Sequence, residues 1–153
     1  MKHLRLLLVC IPFLSMSCSK SGGTTTTPPV TPPVTVVAEA DIAFKLEADG
    51  KEIDYAAIYA ALSATQPINV NVTSTPFPKD GVTIDISVKR DADNASVSTG
   101  NVSSSTAATN ALSIANLAKG DLCTTTVTVT SKTLDPVSKT YKSLLKTFKI
   151  ARK

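Results

Sequence analysis

The sequence predicts an all-β domain, and three observations lead to that class. Valine, isoleucine, threonine and serine are abundant, whereas aromatic residues make up 5% of the chain and tryptophan is absent. This composition suits strands better than helices. Apolar and polar residues alternate with a period of two in several runs, and turn-forming residues separate these runs. The pattern is typical of antiparallel strands with one buried face and one solvated face.

The N-terminal strands are predicted between residues 42 and 88. DIAFKLEADGKEIDYA places Ile42, Phe44 and Leu46 on one face, and Asp49 and Gly50 then favour a hairpin turn. INVNVTST and GVTIDISVKR alternate strictly, which predicts two half-buried strands. Between them, YAAIYAALSAT has alanine-rich helix propensity, and we interpret it as a strand with a bend or as a short helical turn.

The C-terminal strands are predicted in NALSIANL, TTTVTVTSK and TYKSLLKTFKIARK. Turns are predicted between them at AKGD and LDPVS. With the earlier runs this makes about seven strands in about 115 residues, which predicts an immunoglobulin-like antiparallel β-sandwich over residues 38–153. A chain of 153 residues suits one such domain.

Residues 1–17 have the organisation of a secretory signal peptide. Lys2 and Arg5 precede an apolar run from Leu6 to Leu14, and a short stretch containing two serines follows. Nine apolar residues would span roughly 14 Å as a helix, whereas the hydrocarbon core of a bilayer is ~30 Å thick. The run therefore predicts a cleaved signal rather than a membrane-spanning anchor.

The end of the leader resembles that of a bacterial lipoprotein precursor. Met16 and Ser17 precede Cys18, in a box similar to the relaxed lipoboxes of Bacteroidota lipoproteins. The resemblance implies cleavage between Ser17 and Cys18 and lipidation of Cys18. Several acyl chains, at about 0.8 kcal/mol per buried methylene, make such an anchor stable. The alternative is an ordinary signal peptidase cut that leaves a secreted protein.

Residues 18–37 are predicted to be a disordered Thr/Pro-rich linker. PPVT occurs twice, and a polar, proline-rich segment cannot bury enough apolar surface to fold. Its prolines favour polyproline II, so the linker would reach roughly 50 Å from a membrane. The lipoprotein resemblance implies the cell envelope, with the outer membrane as the expected location. The periplasmic and surface faces both stay open, because Ser19, Lys20 and Ser21 lack the acidic export signal of some surface lipoproteins.

The C-terminal third resembles the immunoglobulin-like and fibronectin III-like domains of Bacteroidota lipoproteins. LAKGDLCTTTVTVTS is similar to the stretch before strand F, where Leu, Gly and Tyr form a tyrosine corner. Leu117 and Gly120 match, and Cys123 stands near the position of the tyrosine. KTFKIARK is similar to the last strand of these domains. The resemblance implies the same sandwich fold.

Cys123 would be the one cysteine left in the folded domain, because Cys10 is removed with the leader and Cys18 is lipidated. No internal disulfide is therefore expected. We interpret the Cys123 side chain as a small buried hydrophobe on the inner face of a strand. The alternative is a reactive thiol or one that pairs with another molecule.

Catalysis is not expected from this sequence. The only histidine is His3 in the leader, so a mature chain would hold no Ser-His-Asp or Cys-His arrangement and no zinc cluster of His and Cys. No glycine-rich phosphate loop is present, and no cofactor is predicted. The net charge from residue 18 onward is only +2, without an arginine stripe, so nucleic acid is not a predicted partner.

The turn DADN holds a candidate weak cation site formed by Asp91, Asp93 and Asn94. Ala95 and Ser96 follow where an EF-hand loop would need a ligand and a glycine, so a simple polar turn is the competing interpretation.

Charge is distributed unevenly along the folded domain, with a net −5 in residues 38–93 and a net +6 in residues 132–153. An anionic partner, such as lipopolysaccharide or an acidic glycan, would find candidate contacts at Lys139, Lys142, Lys146 and Lys149. The alternative is that these lysines are solvated and protect an edge strand from association.

The three tyrosines, Tyr55, Tyr59 and Tyr141, are the candidate ligand-contacting aromatics. Two of them on one exposed face would favour sugar binding, and burial in the core would disfavour it.

The sequence therefore predicts a membrane-anchored, non-catalytic lipoprotein of the cell envelope that acts as a binding or spacer module. Its predicted partners are the membrane, through the N-terminal lipid, and a glycan or another envelope protein. The alternatives are a carbohydrate-binding accessory lipoprotein and a pilin-like subunit that assembles by strand exchange.

Overall fold

The structure is a computed structural model that describes residues 36–153, in which the chain forms nine strands and no helix. The strands are β1 Phe44–Ala48, β2 Lys51–Glu52, β3 Ile58–Ala61, β4 Gln66–Val72, β5 Val82–Arg90, β6 Ser96–Ser105, β7 Thr109–Ile114, β8 Leu122–Leu134 and β9 Tyr141–Arg152. This confirms the all-β class. The predicted cleavage and lipidation at Ser17 and Cys18, and most of the predicted linker, lie outside the described residues. In residues 36–153 there is no helix that could cross a membrane.

The strands form two sheets, an arrangement consistent with a β-sandwich. One sheet has four strands in the order β2-β1-β4-β7, and the other has five in the order β3-β9-β8-β5-β6. Every pairing between named strands is antiparallel except that of β3 with β9, which is parallel. A wholly antiparallel sandwich was predicted, so this edge pair is a correction.

The core is built from the inward positions that the period-two alternation predicted. In β5, Ile84 and Ile86 are buried and pair with Val129 and Val127 of β8. Facing them, Leu46 of β1 is fully buried on the four-stranded sheet. The largest fully buried apolar side chains come from both sheets and include Leu46, Ile68, Val70, Ile84, Ile114, Val127, Val129 and Ile150.

The first hairpin forms as predicted. Asp49 and Gly50 connect β1 to β2 and adopt φ values of 51° and 74°. Both values lie in the left-handed region that a type I′ turn requires, and glycine adopts it without steric cost.

Nine strands are present where about seven were predicted, because β6 gave a weak signal and the segment of β3 was left open between a strand and a helical turn. The β6 sequence SVSTGNVSSS has almost no apolar alternation, yet it pairs along β5 from Val82 to Lys89. Backbone pairing with a central strand therefore stabilises a segment that side-chain patterning does not mark. In residues 55–65 the strand interpretation is correct and the helical turn is wrong, since β3 lies there.

Cys123 is a free thiol, fully buried on the inner face of β8 opposite Ile150. Burial raises the pKa of its thiol, which disfavours the reactive thiolate. The structure thus confirms the buried-hydrophobe interpretation.

Candidate functional site

A polar cleft of about 720 Å³ lies on the outer face of the five-stranded sheet, where β5 and β9 end and β8 begins. Hydroxyl and charged side chains line it, among them Lys89, Asp91, Thr124, Thr126 and Lys149. Because successive residues of a strand point to opposite faces, these positions face solvent while their neighbours fill the core.

The centre of the cleft is a row of three side chains from adjacent strands. Lys89 of β5 pairs in register with Thr124 of β8, and Thr124 pairs with Lys149 of β9. Adjacent strands lie about 4.8 Å apart, so two lysines flank one threonine hydroxyl.

Asp91 neutralises the charge of Lys149 at one end of this row. Its Oδ2 lies 2.5 Å from Lys149 Nζ, and its Oδ1 accepts a hydrogen bond of 2.6 Å from the Thr124 hydroxyl. Lys149 also donates to Thr124 Oγ1 at 2.7 Å. The pKa of Asp91 is lowered, first by the Lys149 hydrogen bond and then by that from Thr124. The network is closed, and within residues 36–153 Lys89 is the cleft cation that makes no ion pair.

The candidate cation site at Asp91, Asp93 and Asn94 is not free to take a metal in this conformation. Asp91 is paired with Lys149, and Asp93 Oδ2 lies 3.0 Å from an Arg90 guanidinium nitrogen. The other Asp93 oxygen accepts the backbone N–H of Ala95 at 3.1 Å. No group of three His, Cys, Asp or Glu side chains in the described part of the chain is arranged to hold a metal. The polar-turn interpretation fits this geometry.

The four candidate lysines do not form one basic surface. Lys142 and Lys146 share the inward face of β9 with the buried Phe148, whereas Lys149 points outward and Lys139 lies in the preceding turn. Lys142 Nζ contacts Asp41 at 2.8 Å and Asp135 at 3.6 Å. The predicted anionic-partner strip is therefore split between two faces, because odd and even positions of a strand diverge.

Lys146 is held at the side of the sandwich by aromatic rings. Its Nζ lies 4.8 Å from the Tyr55 ring centroid and 5.2 Å from that of Phe44. It also donates a hydrogen bond of 3.4 Å to the Tyr55 hydroxyl. The methylene stem covers apolar surface while the cation faces the rings, an arrangement that stabilises a lysine close to the core.

The three tyrosines differ in burial, and Tyr141 lies far from Tyr59. Tyr55 and Tyr59 pack partly against the core, and the Tyr59 hydroxyl donates to Asp49. Tyr59 pairs with Ile150, nine residues along β9 from the exposed Tyr141, a separation of about 30 Å. Tyr141 is therefore the one fully exposed tyrosine, and it stands far from Tyr59.

One edge of β9 is open over much of its length. β3 pairs only with residues Lys149 to Arg152. Residues 141–148 pair with β8 on one side, and no other strand of the described chain pairs with them on the other. This edge offers unpaired backbone donors and acceptors to solvent.

The turn between β8 and β9 is organised by the buried carboxylate of Asp135. Its Oδ1 accepts the backbone N–H groups of Val137 at 2.8 Å and Ser138 at 3.4 Å. These bonds, led by that from Val137, lower the pKa of Asp135 below its usual 3.8. The carboxylate thereby holds the hairpin closed.

We expect acid to destabilise the domain through its paired carboxylates. Asp49, Asp91 and Asp135 all have a lowered pKa, so their contribution is complete above the unfolded value of about 4 and is lost as the pH falls through the folded values. The thermal midpoint should fall between about pH 5 and pH 2. Asp135→Asn should flatten this dependence, and an unchanged acid slope would contradict the role of Asp135. The solvent-exposed Asp85→Asn is the control.

Sequence reasoning named Lys149 and Asp91 but missed their partner Thr124, the unpaired Lys89 and the structural Asp135. Lys89 and Thr124 were visible as outward positions of alternating runs. Their side-by-side placement depends on the pairing register of β5, β8 and β9, which the sequence does not contain.

The chain matches no family model, no curated protein and no solved structure.

Proposed function

We propose that the chain is a lipid-anchored, non-catalytic protein of the bacterial cell envelope, whose immunoglobulin-like sandwich acts as a binding or spacer module in an envelope or surface assembly. One observation carries the proposal. Cys18 ends a signal-like leader, and only a Thr/Pro-rich segment separates it from a domain with its own core. A lipidated first residue, a spacer and an autonomous domain together serve to hold a surface at a distance from a membrane.

The strand order supports the immunoglobulin-like assignment. In such sandwiches one sheet holds strands A, B and E, and the other holds C, F and G. If β1, β4 and β7 take the first set and β5, β8 and β9 the second, each set is adjacent in one sheet of this structure. β6 then extends the second sheet beside β5.

A non-catalytic role is supported by the chemistry of the cleft. The Asp91 carboxylate is held by Lys149 and Thr124, and its lowered pKa makes it a poor general acid or base near neutral pH. What the cleft offers a ligand is the Lys89 ammonium beside hydroxyl groups. Such a lining suits an anionic or hydroxylated group of an envelope partner, and the outer membrane is the proposed location.

The two alternatives receive unequal support. Sugar binding would be favoured by two tyrosines on one exposed face, but Tyr55 and Tyr59 pack partly against the core and only Tyr141 is fully exposed. Assembly by strand exchange would be favoured by an unpaired edge, which β9 has, but it also needs a groove for the donated strand. The inner faces of both sheets are filled by the chain's own side chains.

The proposal is tested by replacing Cys18. We expect the full-length protein expressed in a bacterial host to enter the detergent phase of Triton X-114 and to incorporate labelled palmitate. Cys18→Ala should lose the label and move to the aqueous phase, because the acyl chains supply the membrane affinity. Cys10→Ala, in the apolar run of the leader, is the matched control and should behave like the parent. Detergent partitioning that survives Cys18→Ala would refute lipid anchoring at this residue.

A further inference from the structure

We propose that the open edge of β9 is a dimer interface, at which two copies of the chain pair antiparallel around a two-fold axis at Ser143. The interface goes beyond the proposed function and does not depend on it. It rests on the direction of the backbone groups of β9, on the spacing of its exposed apolar side chains and on a register in which its lysines do not oppose one another.

The backbone direction follows from two hydrogen bonds at the end of β9. The N–H of Lys153 donates to Ala61 O on the β3 side at 3.0 Å, and the carbonyl of Arg152 accepts from Gly120 on the opposite side at 3.3 Å. Backbone groups alternate along a strand, and the pairing of residues 143–151 with β8 is regular. Odd-numbered residues of β9 therefore point their N–H and C=O groups toward the open edge.

Two exposed hydrophobic residues stand at odd positions on either side of Ser143. Tyr141 is 57% exposed and Leu145 is 56% exposed. An antiparallel pair centred on Ser143 places Tyr141 of one copy directly opposite Leu145 of the other, and the two-fold axis repeats this contact. Cross-strand aromatic–aliphatic pairs of this kind stabilise sheets. A single exposed strand thus carries both halves of a self-complementary interface.

The lysines of β9 do not oppose one another in this register. Lys142 lies opposite Leu144 of the second copy, and Lys146 lies opposite its Thr140. Both cations are also satisfied within their own copy, Lys142 by Asp41 and Lys146 by aromatic rings. Inward-pointing lysines commonly prevent an edge strand from pairing with another chain. In this register Lys142 and Lys146 are nevertheless compatible with pairing.

The test is a pair of cysteine substitutions in the full-length protein in detergent. In a hydrogen-bonded antiparallel pair the two Cα atoms lie about 5.5 Å apart, within the range for a disulfide. Ser143→Cys should therefore give a disulfide-linked dimer on mild oxidation. Thr147→Cys, exposed on the same face of the same strand, would lie about 26 Å from its copy and should stay uncrosslinked.

Sedimentation gives the second readout. The parent protein should sediment as a dimer, and Ser143→Pro should sediment as a folded monomer, since proline removes only an N–H that points to the open edge. Equal crosslinking of both cysteine variants, no crosslinking of Ser143→Cys, or a monomeric parent with a native circular dichroism spectrum would each overturn the proposal. A folded Ser143→Pro variant that remains dimeric would also overturn it.

Discussion

Replacing Leu46 by alanine should lower the free energy of unfolding by about 2–5 kcal/mol. Leu46 lies in the centre of β1 and is fully buried between the two sheets. Truncation loses the transfer free energy of the removed methyl groups and leaves a cavity that the paired strands cannot close. Since the free energy of unfolding of a domain of this size is about 5–15 kcal/mol, the substitution would remove a large share of the stability. Urea denaturation followed by circular dichroism measures it.

Leu62→Ala is the matched control for that substitution. Leu62 follows β3 and is 80% exposed, so the same chemical change removes few contacts. We expect a change within about 0.5 kcal/mol. Similar losses for Leu46 and Leu62 would mean that β1 does not pack between the sheets as described.

The second large effect is expected at Gly81, just before β5. Its φ is 82°, and a Cβ built there would lie 2.5 Å from the carbonyl oxygen of Ser105 at the end of β6. Gly81→Ala therefore carries the strain of positive φ, about 1–2 kcal/mol, and forces a backbone shift costing about 1–3 kcal/mol more.

Gly50→Ala separates the two causes. Gly50 also has a positive φ, 74°, but a Cβ there would meet nothing within 4 Å. Only the conformational strain should appear, about 1–2 kcal/mol. If both variants lose the same stability in urea denaturation, the close approach of β5 and β6 at Gly81 would be wrong.

Much of the fold was predictable because alternation reports burial directly. GVTIDISVKR and TTTVTVTSK became β5 and β8, the paired strands at the centre of the larger sheet. β6 could not be predicted in the same way, since its serines do not fill the core. β6 is a strand because its backbone pairs with the otherwise unpaired backbone groups of β5. The reason for its conformation therefore lies in the partner strand β5 and not in the sequence of β6.

The candidate site was predictable only in part. Lys149 and Asp91 were named separately, one for an anionic partner and one for a cation, yet the structure pairs them with each other. Their attraction depends on proximity between residues 58 positions apart in the chain. Strand periodicity alone predicts that Lys142 and Lys146 lie on the opposite face of β9 from Lys149. The aromatic rings that contact Lys146 could not be predicted in this way, because they come from other segments of the chain.

The sequence alone determined the all-β class, the first hairpin and the inward positions of the central strands, because local conformational preference and period-two burial are written in neighbouring residues. Only the tertiary structure decided the parallel pairing of β3, the Lys89–Thr124–Lys149 row and the open edge of β9. Those features depend on which strands pair and in which register. Both are determined by the packing of the whole core.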